Sequence, residues 1–198
     1  MFFLKRIFDL TLSCILLIIF SPLFLIIAIF IKLDSKGPVF FKQERLGKNG
    51  KVFLIYKFRT MVDNAEEVGT GLFTNENDPR ITKVGAFLRK TSLDELPQLI
   101  NILKGEMSII GPRPPIPYHP YNYDEYSEEQ KLRFTVLPGI TGYAQVNGRN
   151  KIEWDERIKY DIYYAKNWSL GFDLKIFFKT IRTVFNREGI YRGNKNDV

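Results

Sequence analysis

The sequence predicts an α/β, mainly helical fold: an N-terminal re-entrant membrane helix, a small β-hairpin, and amphipathic interfacial helices around a compact core. Three observations predict it. An uncharged stretch runs from Leu10 to Ile31 and carries Ser21-Pro22 near its middle. Two β-branched and aromatic runs follow, separated by Asn49-Gly50, a strong hairpin signal. From Lys83 onward apolar residues recur at helical spacing between Pro- and Gly-rich interruptions.

Composition narrows the chemistry. The chain has 198 residues, a size that suits one compact domain plus a membrane segment. Hydrophobic residues make up 45%, ample for a packed core and unlike a disordered chain. The net charge of +7 fits nucleic acid, an anionic membrane surface or a phosphorylated substrate, and the apolar N-terminus favours the last two. Cys14 is the one cysteine and lies inside the apolar run, so no intrachain disulfide can form and nothing points to an oxidising compartment. His119 is the one histidine, so a Cys/His zinc site cannot be built. Carboxylates, hydroxyls, Lys and Tyr are left as acids, bases or nucleophiles.

A helix from Leu10 to Ile31 would be roughly 33 Å long, against a hydrocarbon core of about 30 Å. Length alone permits a span. Pro22 cannot donate to the Ile18 carbonyl and presses on it, which costs about 3 kcal/mol in a helix interior. Ser21 can serve the freed carbonyl locally. Lys5 and Arg6 precede the run, and Lys32 and Lys36 follow it. Positive charge on both sides marks both ends as cytoplasmic. A re-entrant helix broken at Ser21-Pro22 accounts for both facts; a kinked spanning helix is the alternative. The chain then divides into a membrane hairpin (1–36), a folded domain (37–186) and a tail (187–198).

The remaining elements follow in order. Val39–Glu44 and Lys51–Phe58 form the hairpin. Residues 62–80 are polar and read as loop, and Lys83 to Lys90 reads as a short helix. Helical patterning resumes from Asp94 to Leu103, and GPRPPIPYHP then breaks regular structure. Ser127 to Val136 fits a capped helix with Glu128 and Glu129 in its first turn. LPGITGYAQVNGRN reads as a glycine-rich loop. Asn150 with Glu153 opens a helix to about Asn167. A last helix runs from Phe172 to Phe185, with Lys175, Lys179 and Arg182 on one face and Phe177, Ile181, Val184 and Phe185 away from them. Such a helix can lie in the headgroup layer or be an ordinary surface helix.

The densest chemical signal is RKTSLDELPQLINILKGEMSIIGPRP, from Arg89 to Pro114. Asp94 and Glu95 adjoin the start of a helix that tolerates Pro97 only in its first turn. Asp94 as N-cap and a Ser92/Glu95 capping box are both open. Either puts two carboxylates where the helix dipole and free N–H groups favour anions and phosphate. Arg89 lies upstream. Arg113 stands between two prolines that stiffen its backbone and present its fork to phosphate. Lys57 and Arg59 alternate along YKFRTM and so share one side of a strand, as site residues or as solvated charges. Asp161 falls in the apolar stripe of Trp154, Ile158 and Ala165, where a carboxylate is either paired for structure or used in a site.

The Ser-Pro-interrupted N-terminal run, YKFRTM, SLDELPQLINILKGEMSIIGPRP, LPGITGYAQVNGR and WDERIKYDIYYAKNWS, in that order, resemble the bacterial sugar transferases. More narrowly, they resemble the small monotopic phosphoglycosyl transferases, from Lys5 to about Phe185. The resemblance implies an enzyme at the cytoplasmic face of the bacterial inner membrane. It would move a sugar-1-phosphate from a UDP-sugar to undecaprenyl phosphate and release UMP, the first membrane step of surface glycan or glycoconjugate assembly. It implies Mg2+ as cofactor, Asp94 and Glu95 as catalytic dyad and metal site, and a re-entrant helix broken at Ser21-Pro22. Residues 37–186 become the catalytic domain. Arg113, Arg89, Arg59 and Lys57 become candidates for the substrate phosphates, and LPGITGYAQVNGR adds Gln145 and Arg149. Membrane lipids and downstream glycosyltransferases are the implied partners, and nucleic acid is not. The chemistry agrees with the residues. A carboxylate nucleophile gives an acyl phosphate reactive enough to pass the group on, and Mg2+ suits oxygen ligands and a diphosphate. The rivals are a membrane-bound lipid-phosphate or nucleotide-sugar hydrolase, with water as acceptor, and a non-enzymatic basic scaffold.

Overall fold

The computed structural model describes residues 2–65, 78–148 and 152–185. The first described element is one α-helix, α1 (Phe2–Asp34), which continues through Ser21-Pro22. Ser21 Oγ donates to the Ile18 carbonyl at 2.8 Å and so replaces the bond Pro22 cannot make. By length and composition α1 could cross a membrane. Ile18, Ile19 and Leu25 are 68%, 61% and 65% exposed, a contiguous apolar face that water covers at high cost.

The opposite stripe of α1 packs on the rest of the chain, and both of its ends are bonded there. Lys5 Nζ donates to Asp173 (2.6 Å) and to the Ile110 carbonyl (3.0 Å). Arg6 reaches the carbonyls of Ile102 and Met107. Asp9, 2% exposed, accepts from Ser108 Oγ and the Ile109 N–H. Farther along, Ile27 and Ile31 are buried with Phe58 and Leu88. Asp34 accepts from the Val84 N–H at 2.8 Å.

The hairpin forms as its sequence requires. β1 (Phe40–Leu46) and β2 (Val52–Phe58) pair antiparallel, Phe40 opposite Phe58 and Leu46 opposite Val52. Asn49 and Gly50 both take positive φ, 56° and 74°, the conformation that closes a tight hairpin. Next, α2 (Lys83–Thr91) starts at Thr82, whose hydroxyl accepts from the Gly85 N–H. Ser92, left-handed at φ 57°, ends α2 and reverses the chain into a 3-10 turn at Leu93–Glu95. The helix expected from Asp94 begins later, as α3 (Gln98–Leu103), with Pro97 in the N-cap position. Neither capping arrangement forms: no side chain caps the turn or the helix. Pro97 cannot donate an N–H, so it occupies the junction and leaves the two carboxylates one turn upstream.

Asn101 joins α3 to the hairpin. It is fully buried; its Nδ2 donates to the Leu54 carbonyl (2.7 Å) and its Oδ1 accepts from the Tyr56 N–H (3.0 Å). One side chain thereby satisfies the outer edge of β2 as a further strand would. A second sheet follows, β3 (Ser108–Ile110) parallel to β4 (Gly139–Thr141). The capped helix is shorter than expected. α4 (Glu128–Lys131), with its Ser127/Gln130 capping box, passes into a 3-10 turn at Leu132–Phe134.

The stretch LPGITGYAQVNGRN is not a loop. It holds β4 and α5 (Tyr143–Gly148). Its glycines serve close approach rather than flexibility: a Cβ on Gly139 would lie 2.1 Å from Gly111 N. α6 (Trp154–Asn167) has Glu153 as N-cap, and Asn150 lies outside the described residues. The last helix, α7 (Leu170–Phe185), has three sectors. Asp173 and Ile176 are buried against the domain, while Leu170, Leu174, Phe177, Phe178 and Ile181 are exposed. Lys175, Lys179 and Arg182 lie on the remaining side. The tail, 187–198, lies outside the described residues.

Arg59 occupies a place the alternation with Lys57 does not foretell. β2 ends at Phe58, and Arg59 turns to the end of α1, donating to the carbonyls of Ile31 (3.4 Å), Ser35 (2.8 Å) and Lys36. These carbonyls lie in the last turn of α1 and just beyond it, where the run of intrahelical donors ends. Arg59→Ala is therefore expected to lower stability by about 2 kcal/mol, the scale for hydrogen bonds made by a charged donor. Thermal melting in detergent measures it, and turnover per folded molecule should be nearly unchanged.

Candidate active site

Three elements converge on one carboxylate. Lys57, near the end of β2, places Nζ 2.6 Å from Glu95 Oε1. Arg113, in the segment after β3, places Nη1 3.2 Å from the same oxygen. Glu95 rides on the 3-10 turn, beside Asp94. The hairpin brings the lysine, Asn101 locks the hairpin to α3 just after the turn, and the prolines around Arg113 hold the arginine. Side chains that are 15–32% exposed make these contacts, so the cluster is a half-covered cleft wall, not a core ion pair.

The two carboxylates differ sharply in charge state. Burial pushes Asp94 up to about 6, with Glu95 adding to the rise, while Lys57, Arg89 and Arg113 work against it. Burial acts on Glu95 too, but Lys57 and Arg113 together outweigh it and hold that carboxyl well below the usual range. Burial lowers Lys57, and Glu95 offsets it only in part. Adjacent carboxylates with separated titrations are suited to different tasks. Glu95 is the fixed anion that binds cations. Asp94 is the carboxylate with no cation bonded to it among the described residues.

The other candidates divide. Arg89 donates to Thr60 Oγ1 at 2.8 Å and lies near enough to Asp94 to oppose its shift. Arg59 belongs to the end of α1. Asp161 is fully buried and accepts from Arg133 at 2.6 Å, which makes it the paired carboxylate of the two alternatives. Gln145 is on α5, beside the Gly111–Gly142 contact. Both of its amide atoms are buried without a hydrogen-bond partner among the described residues. An unanswered buried amide costs about 1–3 kcal/mol and points to a group that completes it. Arg149 lies outside the described residues.

Sequence reasoning missed Asn101, Arg45 and Arg133. Arg45 was findable: it alternates with Phe41 and Gln43 on β1, and so lies on the sheet face of their cross-strand partners Lys57 and Ile55. It donates to the Pro114 carbonyl at 3.1 Å. Asn101 and Arg133 carry little local signal, because the backbone groups and the carboxylate that give them their roles lie 45–47 and 20–28 residues away.

The pH dependence follows by linkage. Asp94 binds its proton more tightly in the folded chain than in the unfolded one, so its contribution to stability is present at acid pH and is lost as pH rises through about 6. In EDTA, Asp94→Asn should therefore melt above the wild type at about pH 8, with the gap closing toward about pH 5. A gap that is constant with pH would contradict the shift.

Comparison with known proteins gives one family. The model described as bacterial sugar transferase matches residues 1–187. A sugar transferase of Bacillus subtilis, EpsL, is 47% identical over 192 residues, covering 96% of this chain and 92% of its own length. The undecaprenyl-phosphate galactose phosphotransferase of Salmonella typhimurium is 44% identical, covering 96% of this chain and 42% of its own. The UDP-glucose:undecaprenyl-phosphate glucose-1-phosphate transferase of Escherichia coli is 45% identical, covering 95% and 41%. The chain thus spans most of the first relative and less than half of the other two.

Proposed function

The chain belongs to the bacterial sugar transferase family, and on that premise we propose that it transfers a sugar-1-phosphate from a UDP-sugar to undecaprenyl phosphate, releasing UMP. The observation that carries this reading is the split dyad: Asp94 raised to about 6 beside Glu95 held as an anion by Lys57 and Arg113. In this reaction an Asp94 oxygen attacks the sugar-bearing phosphorus of the UDP-sugar. The bond from that phosphorus to the bridging oxygen breaks, and UMP leaves with the electron pair. A phosphate oxygen of the lipid then attacks the acyl phosphate, and the Asp94 carboxylate is restored as the polyprenyl-diphosphate sugar departs. Arg113 and Arg89 bind phosphate oxygens and offset the charge that gathers there. Gln145, with its unanswered amide, is a hydrogen-bonding group for the nucleotide.

Mg2+ fits the donor set. Mg2+ is commonly held by one or two carboxylates together with substrate phosphates, and Asp94 and Glu95 supply two. When bound, it would neutralise the diphosphate. The described residues hold no cluster of three His, Cys, Asp or Glu side chains that would bind a metal without substrate.

Membrane association completes the reading. The uncovered face of α1 and the exposed stripe on α7 are apolar surfaces suited to lipid. The same domain bonds Lys5, Arg6 and Asp9 at one end of α1 and Ile31 and Asp34 at the other. Ties at both ends of α1 to one charged domain support a helix that enters and leaves the bilayer on that domain's side, which in this reading is the cytoplasmic face of the inner membrane. Membrane lipids are then standing partners, and glycosyltransferases consume the lipid-linked product. Cysteines engineered near Lys5 and Lys36 should both resist labelling from the periplasm; labelling of one alone means a span.

The covalent step is tested without the lipid. Enzyme mixed with labelled UDP-glucose or UDP-galactose should release UMP in an amount limited by the enzyme and retain labelled sugar-phosphate. Added undecaprenyl phosphate should remove that label, and Asp94→Asn should abolish it. Direct attack by the lipid predicts no adduct and no UMP before acceptor is added. Continuous UMP release without acceptor is the hydrolase outcome.

A further inference from the structure

We propose that the buried Arg133–Asp161 pair is a positioning device for Arg113, acting through the Arg113 backbone; the inference rests on the transferase reading for what Arg113 binds. The segment Pro112–Pro115 has little means of holding itself, since three of its four residues lack an N–H. Instead its four consecutive carbonyls are each tied to a different partner. Pro112 O accepts from the Gly139 N–H (2.9 Å) and Pro115 O from the Leu46 N–H (2.9 Å). Pro114 O accepts from Arg45 Nη1 (3.1 Å). Arg113 O accepts from Arg133 Nη2 (3.0 Å), and the same nitrogen lies 2.6 Å from Asp161 Oδ2.

The pair is poorly explained as a stabilising contact. The two side chains are 0% and 1% exposed, and burying both charges costs several kcal/mol that the attraction often only cancels. Asp161 Oδ1 stays without a hydrogen-bond partner among the described residues. What the pair does achieve is direction. Asp161 on α6 aims the Arg133 guanidinium, which lies 5.1 Å from the Phe134 ring and 6.0 Å from the Trp154 ring. The aimed nitrogen then holds the one carbonyl whose residue points its own guanidinium at Glu95. Small errors in such a backbone become larger errors at the tip of a long side chain, and loss of orientation is costly in catalysis.

The test replaces the pair rather than breaking it. Arg133→Met with Asp161→Leu removes both charges and fills the space, a change that buried pairs often tolerate without loss of stability. The expected melting temperature is near that of the wild type. Phenylglyoxal labelling of Arg113, read by peptide mass spectrometry, should rise several-fold. With UDP-sugar and undecaprenyl phosphate, kcat/KM should fall by about tenfold or more, and the fall should vanish in an Arg113→Ala background, because the pair acts through that residue. Should the double variant melt early, Arg133→Lys keeps a cation against Asp161 without the fork and should loosen Arg113 likewise. Wild-type labelling of Arg113 in both variants, or a loss that adds to that of Arg113→Ala, overturns the proposal. If the wild-type enzyme releases no UMP from any UDP-sugar, the transferase reading fails, and the labelling result alone decides the positioning.

Discussion

An apolar helix that cannot leave its domain is the constraint on which the rest depends. The charged groups of α1 sit toward its ends, and each end is held in bonds to the folded chain. Lys5 reaches Asp173 on α7, while Arg6 and Asp9 occupy the end of α3 and the start of β3. Those two elements flank the dyad turn and the Arg113 segment. Fixing α1 to the domain therefore also fixes the depth of Asp94 and Glu95 relative to whatever surface α1 enters. For the proposed reaction between a soluble nucleotide-sugar and a lipid phosphate, that depth is the requirement.

The charges inside the site are arranged by competition rather than by accumulation. Burial acts against both carboxylates, but the cations are bonded to Glu95 only. One carboxylate is thereby spent as an electrostatic anchor, and its neighbour is left with a raised pKa and no bonded cation among the described residues. Two adjacent acids on a full α-helix would share the helix dipole more evenly. The short 3-10 turn, forced by Ser92 on one side and Pro97 on the other, gives each a separate environment.

Support for this site is drawn from distant sequence through backbone carbonyls. The proline-rich segment has little hydrogen-bonding capacity of its own, so its rigidity is imported from Gly139, Leu46, Arg45 and Arg133. Asn101 does the same for β2. Polar side chains in this domain repeatedly finish the backbone bonding of small sheets that have too few strands to finish it themselves.

The sequence by itself determined the elements whose cause is local. The apolar run, the Asn49-Gly50 turn, the Thr82 and Ser127 caps, the α6 and α7 patterns and the dyad residues are all set by neighbours within a few positions. The same holds for Ser21 answering the carbonyl that Pro22 orphans. Only tertiary structure decided the rest. A glycine-rich stretch became strand and helix because Gly139 meets Gly111 across the second sheet. Arg59 became a helix-end clamp instead of a neighbour of Lys57, because β2 stops one residue earlier. Asp161 turned out paired because Arg133 comes to it from 28 residues away. Each of these outcomes depends on a partner that periodicity cannot name, since a buried polar group is defined by what it bonds and not by where it lies in the chain.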